Sequence, residues 1–89
     1  TFARTKAKKL FDLDFDQNGN IFTAGEGDSL FLVHPDGSNL GVAYYPGYSI
    51  RGVRVFDGYV YLAGKDADEK EGVWRNQILA GDAVGPNEL

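Results

Sequence analysis

The segment Asp14-x-Asp16-x-Asn18-Gly19 comes nearest, by residue type and spacing, to a chemical site. Oxygen-bearing side chains at alternate positions ahead of a glycine open the loops that wrap calcium, where carboxylates coordinate a hard cation around a tight turn. The later half of such a loop is missing. With Asp14 as the first position, the ninth is Phe22 and the twelfth, where a bidentate acid belongs, is Gly25. Calcium at Asp14, Asp16 and Asn18 thus stands against a plain hairpin turn, and the spacing favours the turn. His34, between Val33 and Pro35, is the single histidine, with no second histidine or cysteine to complete a metal or catalytic set. Ser29, Ser38 and Ser49 lack a nucleophile-elbow context, and Gly25-Glu26-Gly27 lacks the third glycine of a dinucleotide loop. No catalytic residue is assigned.

Binding chemistry is better represented. Tyr44-Tyr45-Pro46-Gly47-Tyr48 sets three tyrosines around a Pro-Gly turn, a large amphipathic surface suited to a sugar, a peptide or a protein partner. The competing reading packs Tyr44 and Tyr45 inside and leaves only Tyr48 outside. Lys65–Gly72 (KDADEKEG) reads as a solvated charge run, and Trp74 as core.

The elements that must position these loops are strands. Phe11, Leu13 and Phe15 alternate with Asp12, Asp14 and Asp16, the period of a half-buried strand with its acids on the opposite face. Ile21–Ala24, Leu30–Val33 and Leu40–Tyr45 follow, each too short for a stable helix. Asn18-Gly19, Pro35-Asp36-Gly37 and Pro46-Gly47 supply the reversals between them. Residues 2–9 read as a strand or a frayed tail, with the strand preferred.

At 89 residues the chain is one domain at most, with a core that buries about 60–65% of the unfolded surface. The absence of cysteine excludes disulfides, thiolate zinc sites and a cysteine nucleophile. No apolar run is long enough to span a membrane and no leader is expected. A chain that starts at Thr1 and contains no Met fits processing or a piece of a longer protein, and compartment stays unassigned. The net charge of −4 is unevenly placed: Arg4, Lys6, Lys8 and Lys9 sit in the first nine residues, whereas the remainder holds five basic and thirteen acidic residues. Such a body repels phosphate, and the basic arm reads as a protected edge strand, with no nucleic acid expected.

The second half restates the first. Ile21-Phe22-Thr23-Ala24-Gly25 aligns with Val60-Tyr61-Leu62-Ala63-Gly64, Leu13-Asp14-Phe15 with Val53-Arg54-Val55, and Leu30-Phe31 with Val73-Trp74. A period of about 40 residues with four strand signals per unit is the signature of radial β repeats. The alternative is a small sandwich or barrel. The run Asp16 to Ala24 (DQNGNIFTA) followed by Leu30 to Gly37 (LFLVHPDG) resembles blades of the NHL, gluconolactonase-like and virginiamycin-lyase-like propellers. The resemblance covers residues 10–79, and the second repeat departs from it by losing the Pro-Asp-Gly turn. It implies an all-β fold of two four-stranded antiparallel β-propeller blades, with an arm at 1–9, one blade at 10–49 and a second at 50–89. It carries no catalytic residues over.

In a four-stranded meander successive turns lie on alternating ends. One rim then holds Gly25–Asp28, Tyr44–Ser49 and Lys65–Gly72, which makes Tyr44, Tyr45, Tyr48, Glu26, Asp28 and Lys65 the candidate ligand-binding set. The other rim holds Asp16–Gly19, Pro35–Ser38, Phe56–Gly58 and Gly81–Asp82. Recurrence in both repeats predicts burial of Phe11, Leu13, Phe15, Ile21, Phe22, Leu30, Phe31, Val53, Val55, Val60, Tyr61, Val73 and Trp74. The expected function is a non-enzymatic scaffold or binding module. It is completed by further blades or by self-association into six or eight blades, with a homotrimer favoured. The alternatives are part of a lactonase- or lyase-type propeller enzyme, and a calcium-stabilised adhesion or virion-surface propeller. No cofactor is expected beyond that calcium.

Overall fold

Turn chemistry divides the chain into two meanders. The computed structural model describes residues 2–5, 9–25, 29–81 and 83–88. Among them the strands are β1 (Leu10–Phe15), β2 (Ile21–Gly25), β3 (Ser29–Val33), β4 (Asn39–Tyr44), β5 (Ser49–Phe56), β6 (Tyr59–Lys65), β7 (Glu71–Leu79) and β8 (Ala83–Val84), with no helix. They form two four-stranded sheets in the orders β1-β2-β3-β4 and β5-β6-β7-β8, every pairing antiparallel. The fold is all-β, as the alternation predicts. Lys6, Lys8 and Asp82 lie outside the described residues, and residues 2–5 form no strand, contrary to the expectation for the arm. They lie instead beside the β3–β4 loop, where the Asn39 side-chain amide donates to the Arg4 carbonyl over 2.7 Å.

One loop design closes three of the hairpins. Asp16 Oδ1 accepts the N–H groups of Asn18 (2.8 Å) and Asn20 (2.9 Å), while Gly19 occupies the left-handed region at φ +82°. Asp66 Oδ1 repeats this with Asp68 (2.8 Å) and Lys70 (3.1 Å), but the left-handed position is held by Glu69 at φ +65°. The loop at 34–38 has the same backbone bonds, with Gly37 at φ +91°. Asp57-Gly58, both at positive φ, makes the two-residue turn whose twist suits adjoining strands. The charge run at 65–72 is strand only at its two ends. Lys65 pairs with Glu71 and Gly64 with Gly72, so the extra residues lengthen β6 and β7 and leave a five-residue loop of the Asp16 kind.

The two sheets lie face to face along β1 and β5. Asp12 Oδ2 accepts the Val53 N–H (3.1 Å), and Asp14 Oδ2 accepts the Val55 N–H (2.7 Å). Because the contacts advance together along both strands, β1 and β5 run in the same direction. The other oxygens, Oδ1 of Asp12 and of Asp14, accept the N–H groups of Leu13 and Phe15, both at 2.9 Å. Each carboxylate thus satisfies one edge donor on its own strand and one on the neighbouring sheet. Both strands carry a bulge, at Phe11 and at Arg51 forty positions later. The Arg51 guanidinium lies 4.4 Å from the centre of the Phe11 ring, so the two bulges touch.

The core fills the space between the sheets, with Phe22, Ala24, Leu30 and Leu32 on one side and Ile50, Val53, Val60, Leu62 and Trp74 on the other. Five of the thirteen predicted core positions are buried: Phe22, Leu30, Val53, Val60 and Trp74. Ile21, Phe31, Val55 and Tyr61 are half-buried. Phe11 (39%), Leu13 (49%), Phe15 (56%) and Val73 (63%) are exposed, which corrects the expectation. A stack of two sheets buries one face of each. In β1 the face turned to the second sheet carries Asp12 and Asp14, which leaves Leu13 and Phe15 on the outer side with their cross-strand partners Thr23 and Ile21.

Two measurements check this account. The Asp12 carboxyl is held below its ordinary value by the Val53 N–H first and, against the opposing effect of burial, by Arg54 and the Leu13 N–H. A folded-state value below the unfolded one gives stabilisation that is present above the unfolded value and lost as pH falls through the folded one. Asp12→Ala is expected to cost about 1–2 kcal/mol at neutral pH by urea titration. It should also flatten the loss of stability below about pH 4. Glu69→Gly relieves a side chain held at positive φ and is expected to raise stability by about 0.5–1 kcal/mol in the same titration.

Candidate interaction surfaces

The alternation of turns places the Tyr45–Tyr48 turn and the Asp66–Lys70 loop at one end. A Cβ on Gly47 would stand 3.1 Å from that of Ala67, so the two are in contact. Pro46 and Gly47 (φ +78°) occupy the middle of the turn, and the Tyr48 N–H donates to the Tyr45 carbonyl over 3.0 Å.

The three tyrosines of this turn divide between inside and outside. Tyr45 is buried (4% exposed), and its hydroxyl donates to Asn76 Oδ1 over 2.8 Å. Burial pushes the phenol up to about 12. Its ring lies 5.8 Å from that of Trp74 and 5.7 Å from that of Tyr48, and Tyr48 meets Trp74 edge-on at 5.1 Å. The Trp74 indole N–H makes no well-formed hydrogen bond, its polar contact being the nearby Tyr45 hydroxyl. Tyr44 is 67% exposed. Tyr45 therefore belongs to the seam between the sheets, Tyr48 is half-buried against it, and Tyr44 alone presents most of its ring to a ligand. Glu26 and Asp28 lie outside the described residues.

Lys65 borders an open cleft of about 840 Å³, whose lining includes Arg51, Ser49, Asp66, Glu69 and Glu71. Cations and acids are interspersed along it, and Lys65 lies 3.8 Å from Glu69, a solvent-exposed pair of little energetic weight. The calcium candidates do not converge. Asp14 is turned to the Val55 N–H, while Asp16 closes its own loop and also receives the Asn20 side-chain amide at 3.0 Å. Among the described residues no group of three or more acids, histidines or cysteines is arranged to hold a metal, and no helix is long and apolar enough to cross a membrane.

The largest surfaces are the two outer sheet faces. The first sheet presents Leu13, Phe15, Ile21 and Phe31. The second presents Tyr59, Tyr61, Ala63, Val73 and Arg75 in register. Arg75 lies 4.0 Å from the Tyr59 ring centre, and it reaches the Tyr61 hydroxyl and Glu88 Oε1, both at 3.3 Å. Beside this ladder a shallow hollow of about 330 Å³ is lined by Gly52, Ala63, Val73 and Tyr61 among others.

No family model, curated protein or solved structure matches the chain.

Sequence reasoning missed Asn76, which is 1% exposed and binds Tyr45, the Gly85 carbonyl (2.8 Å) and Asn87 Oδ1 (2.7 Å). The available signal was a polar residue on the same strand face as Trp74, two positions on. Tyr45→Phe leaves the Asn76 oxygen without its donor and is expected to cost about 1–2 kcal/mol in a denaturant titration. A phenol raised by folding gives stabilisation that is complete below the unfolded value, about 10, and is lost as pH rises through about 12. The variant should lack that alkaline loss.

Proposed function

We propose that this chain is a non-enzymatic module of the β-propeller type, two blades that serve as a scaffold and binding surface. The observation that carries the reading is the side-by-side, same-direction run of β1 and β5, bracketed by Asp12 and Asp14 and bulged at equivalent positions. Neighbouring blades around a common axis have their innermost strands in this relation. The sequence resemblance of residues 10–79 to NHL-like blades points the same way. The exposed apolar residues on both outer faces fit a unit that works in contact with further surfaces. Tyr44 and the cleft beside Lys65 are the places where such a module would meet a ligand on its rim.

Tandem fusions of the chain test the blade reading directly. Genes encoding two, three and four copies in one polypeptide should give proteins whose thermal stability rises until the ring closes. At that length binding of a hydrophobic dye should collapse, because no outer face remains bare. If melting temperature and dye binding per copy stay constant across the series, the units do not stack around an axis and the reading fails.

A further inference from the structure

The two outer faces carry, at several equivalent positions, the kind of side chain found in the two halves of the interface already buried inside the chain. Under the repeat alignment Leu13, Ile21 and Phe31 correspond to Val53, Val60 and Trp74. The first three face outward from the first sheet, whereas the latter three are buried against it. In the opposite sense Phe22, Ala24 and Leu30, buried between the sheets, correspond to Tyr61, Ala63 and Val73 on the outer face of the second sheet, while buried Leu32 corresponds to Arg75. The second sheet therefore offers outward the kind of surface that the first sheet offers inward, and the reverse holds for the first sheet. From this geometry we propose that the occupant of the outer face of the second sheet is the outer face of the first sheet of another copy of the chain, docked head to tail. The proposal rests on the blade reading above and names the partner of its bare faces.

Charge placement supports a second copy in this orientation. Inside the chain, Asp12 and Asp14 reach across to the Val53 and Val55 N–H groups. The equivalent donors at a docked β1 are those of Leu13 and Phe15, and they already have Asp12 and Asp14 of their own strand. The strand facing them needs no acids, and β5 has none: Gly52 stands where β1 has Asp12, and Arg54 where β1 has Asp14. Arg54, with a side chain 69% exposed, is positioned to bring a guanidinium to the aspartates of the incoming β1 while it holds Asp12 of its own chain. The hollow beside Gly52, Ala63 and Val73 lies on this face, where Phe31 of the incoming copy, the counterpart of Trp74, would be received. A head-to-tail contact of this kind repeats until rotation closes a ring.

The test uses the full chain and two surface variants in sedimentation velocity over a concentration series. Phe15→Lys alters the outer face of the first sheet and Val73→Lys that of the second, with Leu13→Lys and Ala63→Lys as a second pair if either variant has a changed circular dichroism spectrum. The wild type is expected to assemble beyond its 9.7 kDa monomer mass. Each variant alone should fall to a folded monomer, and an equimolar mixture of the two should form a one-to-one heterodimer through the single intact pair of faces. Assembly retained by either variant alone would overturn the head-to-tail arrangement, as would a mixture that stays monomeric. A folded wild-type monomer at every concentration would overturn the second copy as occupant. That result is distinct from failure of the blade reading, which the fused tandem series reports without any association between chains.

Discussion

A strand that begins a sheet has one row of backbone groups with no partner strand, and the structure depends on how β5 satisfies that row. Asp12 and Asp14 each divide a carboxylate between their own strand and β5, so two side chains replace a ladder of main-chain bonds. Hydrogen bonds to an ionised acceptor are stronger than neutral ones. The same contacts fix the direction and the register of one sheet against the other. A slip by one residue would turn the acids away from β5 and set Leu13 and Phe15 against its donors.

The packing follows from that registration. With β1 and β5 aligned, the central strands bring Phe22, Leu30 and Leu32 over Val60, Leu62 and Trp74, and the turn at Pro46-Gly47 folds Tyr45 into the seam. Asn76 then links the Tyr45 hydroxyl to the segment after β8, which joins the connection between the sheets to the chain end of the second sheet. That link supplements a short fourth strand, since β8 has only two residues and the pairing resumes at the bridge between Arg75 and Glu88.

Stability and the proposed association draw on opposite faces of the same strands. Each sheet buries one face inside the chain, and the opposite faces keep apolar side chains where the repeat writes similar residues in both units, interspersed on the second sheet with Arg54 and Arg75. A closed stack would cover every face, whereas an open stack of two leaves one of each kind. The loop beside Lys65 stands apart from this constraint: the cleft there is bordered by the β6–β7 hairpin, whose geometry depends on the local Asp66 cap.

Local order was largely determined by the sequence. Alternation in Phe11–Asp16, the Asn18-Gly19, Asp36-Gly37 and Asp57-Gly58 turns and the forty-residue period each depend on neighbours along the chain, and the strands and their order follow from them. Which face of each strand is buried was decided by tertiary structure. Periodicity separates Leu13 and Phe15 from Asp12 and Asp14, but only the arrival of β5 with unpaired N–H groups makes the acidic side the inner one. The division of Tyr44, Tyr45 and Tyr48 was settled in the same way, because the position of Asn76 and Trp74 across the seam determines which ring goes in. A pattern along one strand carries the period of its side chains; the sign of that pattern belongs to the surface it meets.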